Sequence, residues 1–402
     1  VPLNKRWPQN HLRNIKKKLE FDYLLVDEKK FQSKNNLNLK SILKRKIRKV
    51  SEKDISNLRK KNTSPYIIFT SGSSGFQKGV EISSDGYMDY IKWTKDNFKY
   101  YRNLSPLLIT AEMTFDITMG DIAFALAHNT SIVISSSAKN FFEHLHLIKK
   151  YKVEVFYSVP STINLILDYS KINNEIKSIK LFISGGDIFN VGMIEKILEN
   201  NPQASFFNVY GPTECTINVT SIRLDNLFRQ NKIKEISIGR VFPHLNFKLV
   251  KFKGNKLSES KSFGELVISG NQIMKDYINK DDIKKDYFVY IKGKRYYRTG
   301  DLAELKKNIL YLRGRVDDLI KIKGYRINPQ EIDNIMTTNK SIIFSKTLID
   351  KSKKKLITFV QRRNKINISN INKFISKNLP SYMVPSCVII LKSFPLGKSG
   401  KV

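Results

Sequence analysis

Ten residues, 70–79, combine the residue types that bind phosphate. They read T-S-G-S-S-G-F-Q-K-G and follow Tyr66-Ile67-Ile68-Phe69, an apolar run typical of a buried strand. Glycines allow several backbone N–H groups to converge on one anion, and hydroxyls and a lysine ammonium complete such a site. The stretch is not a Walker A loop, because its lysine does not directly follow the second glycine and Gly79 replaces the magnesium-binding hydroxyl. The alternative is a flexible Gly/Ser turn, and our prediction is a phosphate-binding loop with the ligands Thr70, Ser71, Gly72, Ser73, Ser74, Gly75 and Lys78.

A second candidate, N-V-Y-G-P-T-E, begins at Asn208 and follows another predicted strand. Its Gly-Pro turn places three functional side chains at a sheet edge. Tyr210 can stack on a nucleobase, Thr213 can bond to a phosphate oxygen, and Glu214 can hold the magnesium that accompanies ATP. The alternative is a capped turn with a half-buried tyrosine.

Two glycine turns further along the chain carry single charged side chains. Asp301 follows Gly300 and can accept two hydrogen bonds from ribose hydroxyls, although aspartate after glycine is also an ordinary turn residue. Arg315 suits a phosphate group, and the exposed aspartate pair that begins at Asp317 suits a hinge.

The elements that must position these residues alternate between strands and helices, which indicates βαβ units around a mostly parallel sheet. The strand candidates are residues 107–110, 131–135, 153–158, 181–184 and 205–209. Beyond Ile236 the short strands and turns indicate a smaller β-rich layer. A final unit contains helices that start near Pro329, which suits a first helical turn, and at Ser369, a candidate N-cap.

Length and composition set limits on the class of protein. A chain of 402 residues predicts two or more domains, and the absence of a run of 18 apolar residues predicts no membrane span. The only cysteines, Cys215 and Cys387, offer neither a disulfide framework nor metal-ligand spacing, which favours a reducing, cytoplasmic compartment. The start at Val1, without an initiator methionine or a leader, predicts a truncated opening and no signal peptide.

The net charge of +35 raises the alternative of a nucleic-acid binder. Basic runs such as Lys16-Lys17-Lys18 concentrate in the first sixty residues, yet lysines are dispersed through nearly every segment and no DNA-reader signature occurs. Biased composition with salt-dependent non-specific attraction therefore explains the charge better than a specific nucleic-acid role.

The order of these motifs resembles that of the adenylate-forming superfamily, and specifically the amino-acid adenylation domains of nonribosomal peptide synthetases and the related D-alanine–carrier-protein ligases. The motifs are T-S-G-S-S-G-x-x-K-G, F-D-I-T, N-V-Y-G-P-T-E, G-E-L-V-I-S-G, Y-R-T-G-D-L, G-R-V-D-D-L-I-K-I-K-G-Y-R-I, L-P-S-Y-M-V-P and G-K-S-G-K. Each is weak alone, whereas the ordered set covers nearly all of the chain and is highly specific. The resemblance implies that a carboxylate attacks the α-phosphorus of Mg-ATP, giving an acyl-adenylate and pyrophosphate. The phosphopantetheine thiol of a carrier protein then takes the acyl group.

The resemblance also implies a fold and a nucleotide site. The expected fold is a mostly parallel α/β large subdomain over residues 1–316, lacking its N-terminal part, and a small α+β lid over residues 317–402 that rotates at Asp317. Asn208 would contact the edge of adenine and Tyr210 its face. The other nucleotide-binding residues implied are the phosphate loop, Gly185, Gly186, Gly211, Asp301 and Arg315.

Three residues are implied to be catalytic. Thr213 would contact the α-phosphate and Glu214 the magnesium ion. Lys401 would bridge the attacking carboxylate and the phosphorus, where an ammonium group neutralises the charge that gathers in the transition state. Without the G-K-S-G-K context, Lys401 is one more solvated lysine among 71 basic residues.

The implied substrate pocket favours an amino acid with a neutral side chain. Asp116 occupies the position at which amino-acid-activating members of the superfamily have a carboxylate that binds the α-ammonium group of the substrate. The other implied pocket residues are uncharged: Ile117, Gly120, Ser158, Phe182, Ser184, Val209, Ile217 and Asn218. The alternatives left open are an acyl- or aryl-CoA synthetase, which would have little use for Asp116, and an inactive partner-binding fragment.

Overall fold

The computed structural model describes residues 1–3, 7–8, 12, 15, 24–26, 36–38, 64–71, 77–138, 140–170, 176–187, 191–233, 235–254, 256–278, 287–316, 320–322, 325–350, 355–362, 367–392 and 394. The strands of these residues are, in chain order, β1 (Leu24–Val26), β2 (Asn36–Asn38), β3 (Ile67–Ser71), β4 (Gln77–Glu81), β5 (Leu107–Ile109), β6 (Ile132–Ile134), β7 (Val155–Ser158), β8 (Leu181–Ser184), β9 (Ser205–Tyr210), β10 (Thr220–Arg223), β11 (Arg240–Val241), β12 (Asn246–Lys253), β13 (Lys256–Ser260), β14 (Phe263–Ser269), β15 (Asp276–Ile278), β16 (Phe288–Ile291), β17 (Lys294–Lys306), β18 (Ile309–Arg315), β19 (Ile320–Ile322), β20 (Tyr325–Ile327), β21 (Ile342–Asp350), β22 (Lys355–Arg362) and β23 (Cys387–Leu391). The α-helices are α1 (Ser84–Asn97), α2 (Ile117–His128), α3 (Phe141–Tyr151), α4 (Pro160–Ser170), α5 (Val191–Asn200), α6 (Asp225–Arg229), α7 (Pro329–Thr337) and α8 (Ile368–Asn378).

The main sheet has seven strands in the order β11-β10-β9-β8-β7-β5-β6. The neighbours from β9 to β6 are parallel, and β10 and β11 continue the sheet in antiparallel pairing. This arrangement confirms the predicted α/β class. Because the carboxyl ends of parallel strands meet at one edge, the turns that follow β7, β8 and β9 lie together.

Alternate residues of the parallel strands face two different apolar cores, which is why these strands are apolar on both faces. One core contains Val155, Leu181 and residues of α1 and α2. The other contains Phe156, Phe182 and residues of α3, α4 and α5. The side-chain period of two therefore decides on which face of the sheet each residue lies.

The predicted phosphate loop connects two antiparallel strands. β3 pairs with β4, and β15 adds a third strand on the other side of β4. β4 begins at Gln77, so the last three residues of the predicted loop already belong to this strand. The loop thus belongs to a hairpin and is not followed by a helix, unlike a Walker A loop.

The predicted β-rich layer is a six-stranded antiparallel sheet in the order β13-β12-β14-β17-β16, with β18 paired to β17. Its main departure from expectation is the length of β17, which continues through Gly300 and Asp301. The turn predicted there is instead a left-handed residue inside the strand, with Gly300 at φ 70°. Asp301 lies directly opposite Arg315 of β18.

The lid residues from Ile327 to Val388 pack around an apolar core of their own, which contains side chains of α7, α8 and β22. The N-cap of α8 is Asn367, whose side chain accepts a hydrogen bond from the Asn370 N–H at 2.8 Å. The prediction that Ser369 caps this helix was therefore two residues late. None of the helices in the described part of the chain is both long and apolar enough to cross a bilayer.

A buried acid lies in the middle of α2. Asp121 is 0% exposed, and neither of its carboxyl oxygens has a hydrogen-bond partner among the described residues. Burial alone raises the pKa of Asp121 well above its usual range, because an apolar surrounding disfavours the ionised form.

We expect Asp121→Asn to flatten the pH dependence of stability. The unfolded chain ionises this carboxyl at about pH 4, whereas the folded chain keeps the proton to higher pH. The contribution of the neutral carboxyl to stability is therefore full below about pH 4 and is lost as the pH rises through the folded pKa. Urea unfolding of the wild-type chain should lose about 1.4 kcal/mol per pH unit in that window relative to the variant.

The exposed Asp96→Asn is the matched control, because it removes a carboxyl group from the protein surface. Parallel profiles for wild type and Asp121→Asn would contradict the assignment of a protonated Asp121.

Candidate functional site

A cavity lies at the carboxyl ends of β7, β8 and β9. Residues from β3, from the start of α2, from β17 and β18 and from the lid complete its walls. Eleven of the predicted site residues line it: Thr70, Asp116, Ile117, Gly185, Gly186, Gly211, Thr213, Ile217, Asn218, Asp301 and Arg315. The structure thus brings together residues that are up to 245 positions apart in the sequence, Thr70 and Arg315.

Close backbone contacts explain two of the glycines at the strand ends. A Cβ atom on Gly185 would lie 2.8 Å from the Val209 carbonyl oxygen. A Cβ atom on Gly211 would lie 2.5 Å from both Asn218 Cα and the Ile217 carbonyl oxygen. Only glycine allows these turns to approach their neighbours, so the cavity wall there is backbone, accessible to a planar ligand.

One hydrogen-bonded group joins the main sheet to the β-rich layer at the cavity. The Tyr210 hydroxyl donates to Asp301 Oδ2 at 2.5 Å, and Arg315 Nη1 donates to Asp301 Oδ1. Burial, followed by the charge of Asp301, raises the pKa of Tyr210 well above its usual range, so the hydroxyl stays a donor. The carboxylate of Asp301 is fixed at the cavity, where it can accept hydrogen bonds from a sugar hydroxyl.

Asn208 and Tyr210 lie behind the cavity surface. Each is 5% exposed, and neither lines the cavity. Asn208 Nδ2 donates to the Ser237 carbonyl oxygen at 2.7 Å, so one of its amide hydrogens is already used. The predicted contacts of these two side chains with adenine are therefore not prepared in this structure.

Lys78 and Glu214 belong to a buried cluster around Tyr277. The Tyr277 hydroxyl donates to Glu214 Oε1 at 2.8 Å, and Lys78 Nζ lies 5.0 Å from the centre of the Tyr277 ring. Lys78 is 7% and Glu214 1% exposed. Within the described residues no group of three or more acidic, histidine or cysteine side chains is arranged so that it could hold a metal ion. A single carboxylate can contribute to a Mg²⁺ site that is formed mainly by phosphate oxygens and water, but neither Glu214 nor Lys78 lines the cavity in this structure, so the roles of both stay predictions.

Asp116 is placed at the first turn of α2 and lines the cavity. Its side chain does not cap the helix. The negative charge of Asp116 contributes to the raised pKa of Tyr66, after burial as the main cause. The carboxylate therefore lies at the edge of an apolar, aromatic wall, where a cationic partner would be bound more strongly than in water.

Aromatic side chains connect the lid to the segment that carries Asp116. The Tyr325 ring stacks on Tyr382 at 4.3 Å with an interplanar angle of 7°, and it packs against Phe115 at 5.3 Å. Burial, followed by the charge of Glu112, raises the pKa of Tyr325 to about 12. Tyr325 and Tyr382, which belong to the predicted lid, therefore lie at the cavity beside Phe115.

Five of the predicted pocket residues do not line the cavity: Gly120, Ser158, Phe182, Ser184 and Val209. Phe182 belongs to the core on the opposite face of the sheet. Because side chains alternate between the two faces of a strand, Ser158 and Ser184 lie on the same face as Phe182. Ser158 Oγ lies 3.1 Å from Thr110 Oγ1. The prediction was one residue out of register in β7 and β8, because Tyr157 and Gly185 line the cavity in place of their neighbours. Gly120 lies directly behind Tyr157, and Val209 lies directly behind Gly185.

A buried amide and two tyrosines, which the sequence did not single out as a unit, form a hydrogen-bonded group, of which Asn218 and Tyr157 line the cavity and Tyr90 does not. Asn218 Nδ2 donates to the hydroxyls of Tyr157 at 2.5 Å and of Tyr90 at 3.0 Å. Burial raises the pKa of both tyrosines. The three residues come from different elements, so no motif spacing could have revealed them. β7 is buried on both faces, so its sequence pattern does not place Tyr157 on the cavity face either.

Gln272 holds the segment that carries Ile217 and Asn218. Thr216 and Ile217 have φ values of 58° and 73°, which are strained for β-branched residues. The buried Gln272 amide donates to the carbonyl oxygens of Cys215, Thr216 and Asn218 at 3.2, 3.4 and 2.9 Å. In return, Thr216 Oγ1 donates to the Gln272 carbonyl oxygen at 2.6 Å.

Several predicted residues lie outside the described residues. They are Gly72, Ser73, Ser74 and Gly75 of the phosphate loop, the side chain of Ser71, the hinge residue Asp317 and Lys401. The roles assigned to them stay predictions.

Comparisons with known proteins agree on one family. The model of the AMP-binding enzyme family matches residues 1–278. Gramicidin S synthase 2 of Aneurinibacillus migulanus is 30% identical over 346 residues, which are 84% of this chain and only 8% of that protein. The adenylation domain AlmE of Vibrio cholerae, in complex with glycyl-adenosine-5'-phosphate, superposes with a TM-score of 0.80 at 21% identity, over 100% of this chain and 82% of that chain. Holo-PA1221, an NRPS protein containing adenylation and PCP domains, gives a TM-score of 0.81 at 19% identity, over 99% of this chain and 69% of that chain.

We expect Tyr277→Phe to destabilise the fold. The variant removes the hydroxyl that donates to Glu214, a carboxylate buried to 1% exposure. Loss of a donor to a buried charged group costs about 1–3 kcal/mol, which chemical denaturation can measure. Tyr290→Phe is the matched control, because Tyr290 is 70% exposed, and it should change the unfolding free energy little. Equal, small effects of both variants would contradict the role of this hydrogen bond.

Proposed function

Because the chain belongs to the AMP-binding enzyme family, we propose that it activates an amino acid as aminoacyl-AMP and passes the aminoacyl group to the phosphopantetheine thiol of a carrier protein. One observation carries the proposal: the carboxylate of Asp116 lines the same cavity as the glycine walls and as Asp301 and Arg315. A site for a cationic group beside a site for a nucleotide is what aminoacyl-AMP requires.

The chain's own groups account for binding in the first half-reaction. The Asp301 carboxylate would accept hydrogen bonds from the ribose, and Arg315, which also pairs with Asp301, would contact phosphate. The backbone at Gly185 and Gly186 would pack against the base, and Thr213 would donate its hydroxyl to the α-phosphate. Glu214 would hold Mg²⁺, which neutralises phosphate charge when it is bound.

Orientation of the substrate follows from the positions of the charged groups. The α-ammonium group would pair with Asp116, so the substrate carboxylate would face the α-phosphate near Thr213. The resemblance assigns the balancing of charge between these two anions to Lys401. The carboxylate oxygen forms the bond to phosphorus, and pyrophosphate leaves with the electron pair of the broken P–O bond.

The lid position supports a role in the second half-reaction. The resemblance implies that Lys323 and Gly324 face the pantetheine arm, and Tyr325, which directly follows them in the sequence, lines the cavity. Its contacts with Tyr382 and Phe115 hold the lid against the cavity in this pose. A rotation of the lid to a second pose would bring Lys401 to the cavity and move the β19–β20 hairpin, which carries Tyr325, away from it.

Removal of the Asp116 carboxylate tests the substrate class. In amino-acid-dependent ATP–pyrophosphate exchange, Asp116→Ala should lower kcat/KM for the amino acid by about 100-fold or more and leave the KM for ATP unchanged, because a partly buried charge pair is lost. The control is the exposed Asp96→Ala, which should behave as wild type. Exchange with acetate, fatty or aryl acids, and with no amino acid, would reverse the proposal in favour of an acyl- or aryl-CoA synthetase.

Removal of the stacked ring of Tyr325 should slow the second half-reaction and leave the first unchanged. An aromatic pair contributes about 0.5–1.5 kcal/mol, so Tyr325→Ala should slow aminoacyl transfer to holo-carrier protein by about 2- to 13-fold. Pyrophosphate exchange should not fall, because adenylation uses the other pose of the lid. Tyr325→Phe keeps the ring and should keep transfer at the wild-type rate. Equal loss of both half-reactions in Tyr325→Ala would contradict a role of this contact in transfer.

A further inference from the structure

The ring of Tyr157 fills the inner end of the cavity. Tyr157 is 3% exposed and lines the cavity, and Gly120 lies behind it. A Cβ atom on Gly120 would lie 2.7 Å from Tyr157 Cε1 and 3.2 Å from Ile217 Cγ2. The space that a glycine would otherwise leave open is therefore already occupied by the phenol ring and by Ile217.

Hydrogen bonds fix this ring in place. Asn218 Nδ2 donates to the hydroxyls of Tyr157 and Tyr90, and all three residues are buried. A rotation of the Tyr157 ring out of the wall would leave buried polar groups without partners, which is costly. The ring is therefore a fixed end wall and cannot move aside for a ligand at low cost.

The adjoining walls are equally fixed. A Cβ atom on Gly185 would lie 2.9 Å from Val209 Cγ2, so Val209 fills the space behind that glycine. On the other side, the Gln272 amide holds the backbone at Asn218 with a hydrogen bond of 2.9 Å. These two walls are therefore formed by backbone and by a β-branched side chain, which adapt little to a larger ligand.

We propose that Tyr157 restricts the substrate to an α-amino acid with a small uncharged side chain, of the size of glycine, alanine or serine. The inference rests on the proposed function. If the ammonium group pairs with Asp116 and the carboxylate faces the nucleotide, the side chain must point to the wall formed by Tyr157 and Ile217. A leucine or phenylalanine side chain would have to displace a buried, hydrogen-bonded ring.

The experiment compares the size of substrate that wild type and enlarged variants accept. Tyr157→Ala removes the end wall. Ile217→Gly enlarges the same space from the side and suits the fold, because glycine tolerates the φ of 73° at this position. The exposed Tyr169→Ala, which lies outside the cavity, is the matched control. For each chain, pyrophosphate exchange is measured with glycine, alanine, serine, leucine and phenylalanine, and thermal melting verifies folding.

Calorimetric binding of glycyl-, alanyl-, leucyl- and phenylalanyl-sulfamoyladenosine, unreactive mimics of the aminoacyl-adenylates, gives a second readout that does not depend on turnover. Each methylene that a pocket must accommodate changes discrimination by about 10- to 200-fold. For wild type and Tyr169→Ala we therefore expect a preference of about 100-fold or more for the best small side chain over leucine and phenylalanine. In Tyr157→Ala or Ile217→Gly, the preference should fall by about 10-fold or more.

The outcomes separate this inference from the proposed function. Binding of the small mimics without exchange would support the size limit and overturn the proposed activity. Exchange or binding that favours leucine or phenylalanine in wild type would overturn the size limit and leave the proposed function in place. An unchanged preference in both enlarged variants, when they are folded, would also overturn the role of Tyr157. No exchange and no binding of any mimic would overturn both claims.

Discussion

The strained backbone at Thr216 and Ile217 is the constraint on which the cavity depends. Two successive β-branched residues with positive φ cost of order 1–3 kcal/mol each, and such a conformation persists only where its surroundings enforce it. The side-chain amide of Gln272 enforces it by donating to three carbonyl oxygens of this segment. That amide thus helps to hold the segment in which Ile217 and Asn218 line the cavity, and Asn218 in turn donates to the Tyr157 hydroxyl.

The topology explains why the remaining groups meet at the same place. Parallel pairing of β7, β8 and β9 brings their carboxyl ends to one edge, where the glycine turns form backbone walls. The β-rich layer supplies Asp301 and Arg315 as a cross-strand pair, and the Tyr210 hydroxyl ties that pair to the main sheet. The site thus lies where residues of the main sheet, of the β-rich layer and of the C-terminal unit meet.

Much of this could be predicted from the sequence. The alternation of apolar strands and helices predicted the α/β class, and the ordered motifs identified the superfamily, which the family match confirms. The errors have physical causes. The slip at Ser158 and Phe182 arises because a one-residue shift along a strand that is apolar on both faces exchanges the faces without changing the pattern. The turn expected before Asp301 is a left-handed glycine inside β17, which composition alone cannot distinguish from a turn. Gln272 and Tyr90 carried no local signal, since their importance comes from contacts between distant segments.

A crystal structure with an unreactive aminoacyl-adenylate mimic is the most direct measurement of the central claim, that one cavity binds the nucleotide and the amino acid side by side. The account predicts the base against Gly185 and Gly186, the ribose hydroxyls on Asp301, and the ammonium group within hydrogen-bond distance of the Asp116 carboxylate. A mimic bound with its ammonium group turned away from Asp116, or with its ribose remote from Asp301, would contradict it.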